Sequence, residues 1–193
     1  MKKKESPMRI AEGTWWLGSA DRDGFVSTNS YLIYRDGVGV LIDPGPVRCF
    51  QEIREAALSI ASIGEIAAAV VSNSTPDSGS SLPLWESIGF RGTVIAHWQT
   101  AIQLPLYGLA SRILSVWNPA GEEHADFLGI STIPVPYLPA SGSLASFDSV
   151  TGTLFSGQLF GGMGKKMQLF ADEKYLNAMK SFHEQTMPST PML

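Results

Sequence analysis

The chain has 193 residues, with 14 Lys and Arg against 18 Asp and Glu and a formal net charge of −4, so it lacks the basic field that nucleic acid or an anionic membrane surface requires. Hydrophobic residues make up 44% and charged residues 17%, with nine Phe, five Trp and five Tyr; that is core material for one domain and excludes disorder or a coiled coil. A single cysteine, Cys49, excludes an internal disulfide and any cysteine-rich metal site, and three histidines are a thin supply for a two-metal centre.

Lys2, Lys3 and Lys4 are followed by Glu5 and Pro7 instead of an apolar run, so they read as a solvated terminus, not a signal peptide, and a cytoplasmic location is expected. Residues 13–18, carrying Trp15, Trp16 and Leu17, read as a strand, and residues 30–34 as a second. Asp36 and Gly37 form a two-residue turn signal before a β-branched run over 38–42, which predicts a hairpin ending abruptly at Asp43, Pro44 and Gly45. Over 48–60, Phe50, Ile53, Ala57 and Ile60 recur at helical spacing with charges between them. Residues 67–72 are then a buried strand. The apolar stretch 63–71, interrupted by Gly64 and Glu65, is far too short to span a membrane.

Residues 73–80 are dense in Ser, Thr, Pro, Asp and Gly and read as a loop of the kind that holds ligands in α/β folds, with a helix beginning at 82–88. A strand is expected at 93–96, a helical or irregular segment broken by Pro105 at 98–113, and a strand at 130–135. A hairpin follows, 144–147 turning through 148–152 into 153–156, then a glycine-rich loop at 157–164. Residues 172–186 close as a helix with Asp172 as its cap and Tyr175, Leu176, Met179, Phe182 and His183 at helical spacing. This order predicts a layered α/β sandwich in place of a single parallel sheet, with no internal repeat and no linker.

Four segments in order carry a resemblance: Asn29 to Ile33, then Leu41, Ile42 and Asp43, then the stretch from Val70 through Asn73, Thr75, Asp77 and Ser78 to Pro83, then the stretch from Leu154 through Phe155, Ser156, Gly157 and Gln158 to Gly161. Together they resemble the metallo-β-lactamase-like domain of flavodiiron proteins and of the related oxygen-binding diiron (ODP) proteins. The resemblance implies an αββα sandwich of mixed α/β (α+β) class, lacking its last C-terminal elements, as one domain over 1–193 that forms the N-terminal part of a longer signalling protein. It also implies a diiron site at the sheet edges. Such a site draws on a His-x-Glu-x-Asp-His loop, a later His, a bridging Asp and a final His, because two iron ions need anionic and imidazole donors to offset their charge.

Laid on that pattern, Asn73 takes the place of the first His, Thr75 of the Glu, Asp77 of the Asp and Ser78 of the second His. The later His falls on Pro139, or on Leu138 with a one-residue shift, and the bridging Asp falls on Gln158. Asp77 alone keeps a carboxylate. The resemblance therefore implies a vestigial pocket of Asn73, Thr75, Asp77, Ser78, Pro139 and Gln158, with no metal, no cofactor and no catalytic residue. Asp43 matches a segment in which an Asp orders the site loop, and serves equally as an ordinary loop cap.

Blander readings hold elsewhere. His97, His124 and His183 match no ligand position and read as surface or capping residues. Ser141, Ser143 and Ser156 lack a His placed to act as base. The loop at 157–164 lacks a phosphate fingerprint, Cys49 reads as a buried thiol, and the dispersed tryptophans as core and interface residues. The resemblance thus implies a noncatalytic, metal-free sensory input or protein-interaction module in signal transduction: a homodimer, with a fused signalling output domain and a small polar ligand as candidate partners and no nucleic acid or membrane contact. Two alternatives stand beside it: a hydrolase or oxidoreductase of this fold with an atypical metal site, and a dimerisation scaffold without ligand.

Overall fold

The structure is a computed structural model in which residues 7–19, 28–119, 127–162 and 170–187 are described. Seven strands form the larger sheet in sequential order: β1 (Met8–Ala11), β2 (Thr14–Ser19), β3 (Asn29–Arg35), β4 (Val38–Ile42), β5 (Ile66–Val71), β6 (Thr93–His97) and β7 (Ile113–Val116). β1 to β4 pair antiparallel and β4 to β7 parallel. The β3–β4 turn places both Asp36 and Gly37 at positive φ, as a type I′ hairpin demands. A second, antiparallel sheet has the order β10 (Thr153–Phe155), β9 (Leu144–Asp148), β8 (Ile130–Pro134).

The parallel strands are apolar on both faces, and each face has its own core. On one side Leu32, Leu41, Ala69, Val71, Val94 and Ala96 pack against α1 (Phe50–Leu58) and α3 (Leu82–Ser87). Trp85 is fully buried there, edge-on to Phe50 at 5.4 Å. On the other side Ile33, Val40, Ile42, Ala68, Val70 and Ile95 meet Ile130, Leu144 and Phe155 of the second sheet. The two sheets are thus joined by interdigitating side chains, the sandwich the element order predicts. They are also clamped by an ion pair: Arg35, at the end of β3, donates to both carboxylate oxygens of the buried Asp148, at the end of β9, at 2.8 and 2.5 Å.

Several elements differ from expectation. β1 and β7 are strands that the composition does not announce; both are edge strands, and β1 leaves Met8 and Arg9 exposed. Residues 73–80 are not all loop, since Pro76–Gly79 form one helical turn (α2) with Pro76 in its first turn, where its missing N–H costs nothing. Pro105 opens a 3-10 turn, Leu104–Tyr107, in place of breaking a longer helix, and α4 (Trp98–Ala101) is a single turn. α5 (Tyr175–Thr186) begins three residues after Asp172, whose Oδ1 nevertheless accepts from the N–H groups of Lys174 and Tyr175. Among the described residues no helix is long and apolar enough to cross a membrane.

Candidate functional site

Register brings the candidate residues to one edge. β4 and β5 pair Ile42 with Val70, and β5 and β6 pair Val71 with Ala96, so Asp43, Ser72 and His97 come to one edge of the sheet, at the carboxyl ends of parallel strands. In open α/β sheets this edge is where ligands are held. The chain after β4 is tied to the segment around α2: Gly45 N–H donates to Ser78 O, and Ser81 N–H donates back to Gly45 O, both at 3.1 Å. The second sheet reaches the same edge through Leu144 N–H on Ser72 O at 2.7 Å. Gly157, at φ +61, packs so closely that a Cβ there would lie 2.9 Å from Ser72 Cβ. That contact places the next residue, Gln158, over the loop that follows β5.

Five of the six predicted site residues meet in one hydrogen-bonded cluster. Asn73 is buried, and its Oδ1 accepts from Thr75 N–H at 2.8 Å, from the Thr75 hydroxyl and, at 3.4 Å, from Ser78 Oγ. Gln158 Nε2 donates to Thr75 Oγ1 at 3.0 Å and to Asp77 Oδ2 at 2.8 Å. Both protons of that amide are thereby used. Asn73 Nδ2 is enclosed with no hydrogen-bond partner among the described residues. Pro139 is not in the cluster: it sits half-buried in the β8–β9 connection, which docks on α4 where Thr100 Oγ1 donates to Gly142 O at 2.8 Å. Its ring can neither donate nor accept.

Asp43 holds the loop from beneath. Its two oxygens accept from Ser72 N–H at 2.8 Å and Ser72 Oγ at 2.7 Å, and its own backbone lies at φ +48. Loss of hydration pushes its carboxyl up to about 7, against the two Ser72 bonds that pull it down, and the nearby Asp77 adds to the rise. Tyr107 covers the loop from the other side, donating to Ser74 O at 2.6 Å; burial, then the charge of Asp77, raises its phenol above the usual range.

The sequence from 26 to 193 matches the family model described as ODP family beta lactamase. The chain belongs to the ODP family of β-lactamase-like domains. No curated protein matches it. Among solved structures, the flavodiiron protein from Giardia intestinalis superposes with a TM-score of 0.82 at 20% identity, over 96% of this chain and 49% of that one. A chemotaxis sensor ODP, solved as a peroxy diiron species, gives 0.75 at 24% identity over 96% and 78%. A flavoprotein from Thermotoga maritima gives 0.72 at 20% identity over 95% and 51%. At these identities the likeness carries the metallo-β-lactamase-like fold, and the chain spans about half the length of the Giardia protein.

The cluster does not fit the diiron centre that the resemblance implies. Of the six positions only Asp77 offers an anionic donor, and a pair of iron ions cannot be offset by one carboxylate among neutral hydroxyls and amides. Gln158 presents N–H groups, not lone pairs, to Asp77 and Thr75, and Asn73 Oδ1 already accepts from its neighbours. Among the described residues no three of His, Cys, Asp and Glu come together in a metal-binding group.

Of the histidines, His97 is buried and caps α4, its Nδ1 accepting from Gln99 N–H at 3.2 Å. His183 is not a surface residue: it is buried, and its Nε2 accepts from Phe160 N–H at 3.2 Å. His124 lies outside the described residues, as do Lys2, Lys3 and Lys4 and the end of the glycine-rich loop. Cys49 is buried in the helix-side core. Trp16 and Trp85 are likewise buried, and the Trp16 indole N–H donates to Asn29 Oδ1. No local sequence pattern marks the parts played by Tyr107 and by His183, because both act through backbone groups far away in sequence.

Proposed function

We propose that this ODP-family domain is a noncatalytic, metal-free sensory input or protein-interaction module of a signalling protein, spanning 1–193 as a single domain. The observation that carries the reading is the Gln158 amide, whose protons bond to Asp77 and Thr75 where ligand lone pairs would have to face a cation. With one carboxylate among neutral hydroxyls and amides, the vestigial pocket of Asn73, Thr75, Asp77, Ser78 and Gln158, with Pro139 in the adjoining loop, lacks the charge to hold a metal pair that would supply a Lewis acid, an activated water or a redox couple. What remains is a rigid sheet edge able to present loops to a small polar ligand or to a partner protein. The chemotaxis sensor among the similar structures supports an input role. The proposed output is fused to the same chain, and the proposed assembly is a cytoplasmic homodimer.

Metal content tests the reading. Protein expressed in iron- and zinc-supplemented medium is expected to carry less than about 0.1 equivalent of either metal, the same as Asp77→Ala. Near-stoichiometric metal that is lost on Asp77→Ala would establish an atypical metallohydrolase or oxidoreductase site instead. Sedimentation at several concentrations checks the homodimer, and thermal shift against small polar metabolites separates a sensor from a ligand-free scaffold.

A further inference from the structure

The turn that carries Gln158 is held at its other end by α5. Leu159 N–H donates to Ser156 O at 3.1 Å and Gly161 N–H to Gln158 O at 2.9 Å, which folds 156–161 into one unit. Its tip is Phe160, a non-glycine residue at φ +64, a conformation that costs about 1 kcal/mol and persists only when surroundings impose it. Both backbone polar groups of Phe160 are bound by α5. The Tyr175 hydroxyl donates to Phe160 O at 2.7 Å, and Phe160 N–H donates to His183 Nε2. His183 Nδ1, bonded to Met179 O at 2.9 Å, fixes the ring on its own helix. Gly161 lies under Phe182, where an added Cβ would come within 3.0 Å of the ring.

Among the described residues, few other contacts hold α5. Of its residues only His183 is buried, and Leu176 is 49% exposed. An element with one buried side chain draws its docking from a few specific bonds and opens at low free-energy cost. At the opposite end the same turn is pinned by Gly157 on Ser72 and by the Gln158 amide on Asp77 and Thr75. The strained tip is thus over-determined from two directions, and loss of one set of restraints weakens the other.

We propose that the 156–161 turn couples the polar cluster to α5, so that releasing Gln158 from Asp77 and Thr75 undocks the helix and makes α5 the readout of events at the cluster. The input-module reading gives this coupling its purpose. Its test is independent of metal content, so either claim can fail alone. Amide hydrogen exchange is measured on wild type, Gln158→Ala, Thr75→Val and Tyr175→Phe. Thr75→Val removes the Gln158 acceptor, together with the hydroxyl bond to Asn73, from a residue with no bond to α5 among the described residues, so an effect on the helix is expected to pass through the turn. Exchange over 175–187 and at Phe160 is expected to rise about fivefold or more in both cluster variants, with β5 and β6 unchanged. By linkage, Tyr175→Phe is expected to speed exchange at Thr75 N–H. The coupling is overturned if Tyr175→Phe loosens α5 while Gln158→Ala and Thr75→Val leave it at the wild-type rate, or if the cluster variants accelerate β5 and β6 as much as α5.

Discussion

Replacing Gln158 by alanine removes the bonds to Thr75 Oγ1 at 3.0 Å and Asp77 Oδ2 at 2.8 Å. A neutral bond contributes about 1 kcal/mol net and a bond to a charged group about 1.5–3 kcal/mol. Thr75, Asp77 and Gln158 are all half-buried, so water replaces part of the loss and the expected cost is about 1–2 kcal/mol. For a domain of this length, at roughly 2–4 °C per kcal/mol, the melting temperature falls by about 2–8 °C. Differential scanning calorimetry at neutral pH reads it. Gln158→Glu separates this account from simple loss of packing: near-isosteric, it sets a second carboxylate against Asp77, so it should destabilise at least as much as alanine at about pH 7.5 and recover at about pH 5 as the added carboxyl takes a proton. A Gln158→Ala melting point within about 1 °C of wild type, or a Gln158→Glu variant more stable than wild type, would refute the reasoning.

Asp43 supplies a pH signature. Its carboxyl rises from 3.8 to about 7 in the folded chain, so the fold holds a proton that the unfolded chain releases; the contribution is full below the unfolded value and is lost as pH rises between about 4 and 7. Asp43→Asn, which tolerates the positive φ and can still accept from Ser72 N–H, is expected to flatten the decline in melting temperature over that window, checked by thermal melts across pH. At the other end of the sandwich, burial pushes the Asp148 carboxyl up, but the Arg35 guanidinium, with Thr151 and Val150, holds it below the usual range. Its contribution is present above the unfolded carboxylate value and lost as pH falls through the folded one. Arg35→Ala leaves Asp148 buried without its partner and should cost about 3–5 kcal/mol in urea unfolding at neutral pH. Gly157→Ala combines a positive φ with the Ser72 contact; a loss of about 1–3 kcal/mol is expected, with a matching loss of protection at Thr75 N–H.

Much of the fold was legible because the parallel strands are continuous apolar runs and the hairpins carry explicit turn residues. Val38–Ile42, Ile66–Val71 and Thr93–His97 announce themselves in this way, as does the pair Asp36 and Gly37. β1 and β7 were not legible: each is four residues long at a sheet edge, where only one neighbour stabilises it and no alternation is required. At the site, identities were readable but relations were not. That Asn73 and Gln158 stand where ligands would be expected follows from the resemblance; that the Gln158 amide bonds two residues more than 80 positions away depends on the whole sandwich closing. The grip of Tyr175 and His183 on Phe160 leaves no periodic trace, since it joins side chains of a helix to the main chain of a turn.

The most direct test of the central claim is an anomalous difference map at the iron edge from crystals soaked in ferrous iron. The account predicts no peak within about 4 Å of the Asp77 carboxylate and a Gln158 amide still bonded to it. A pair of bridged peaks beside Asp77, with Gln158 turned away, would contradict it.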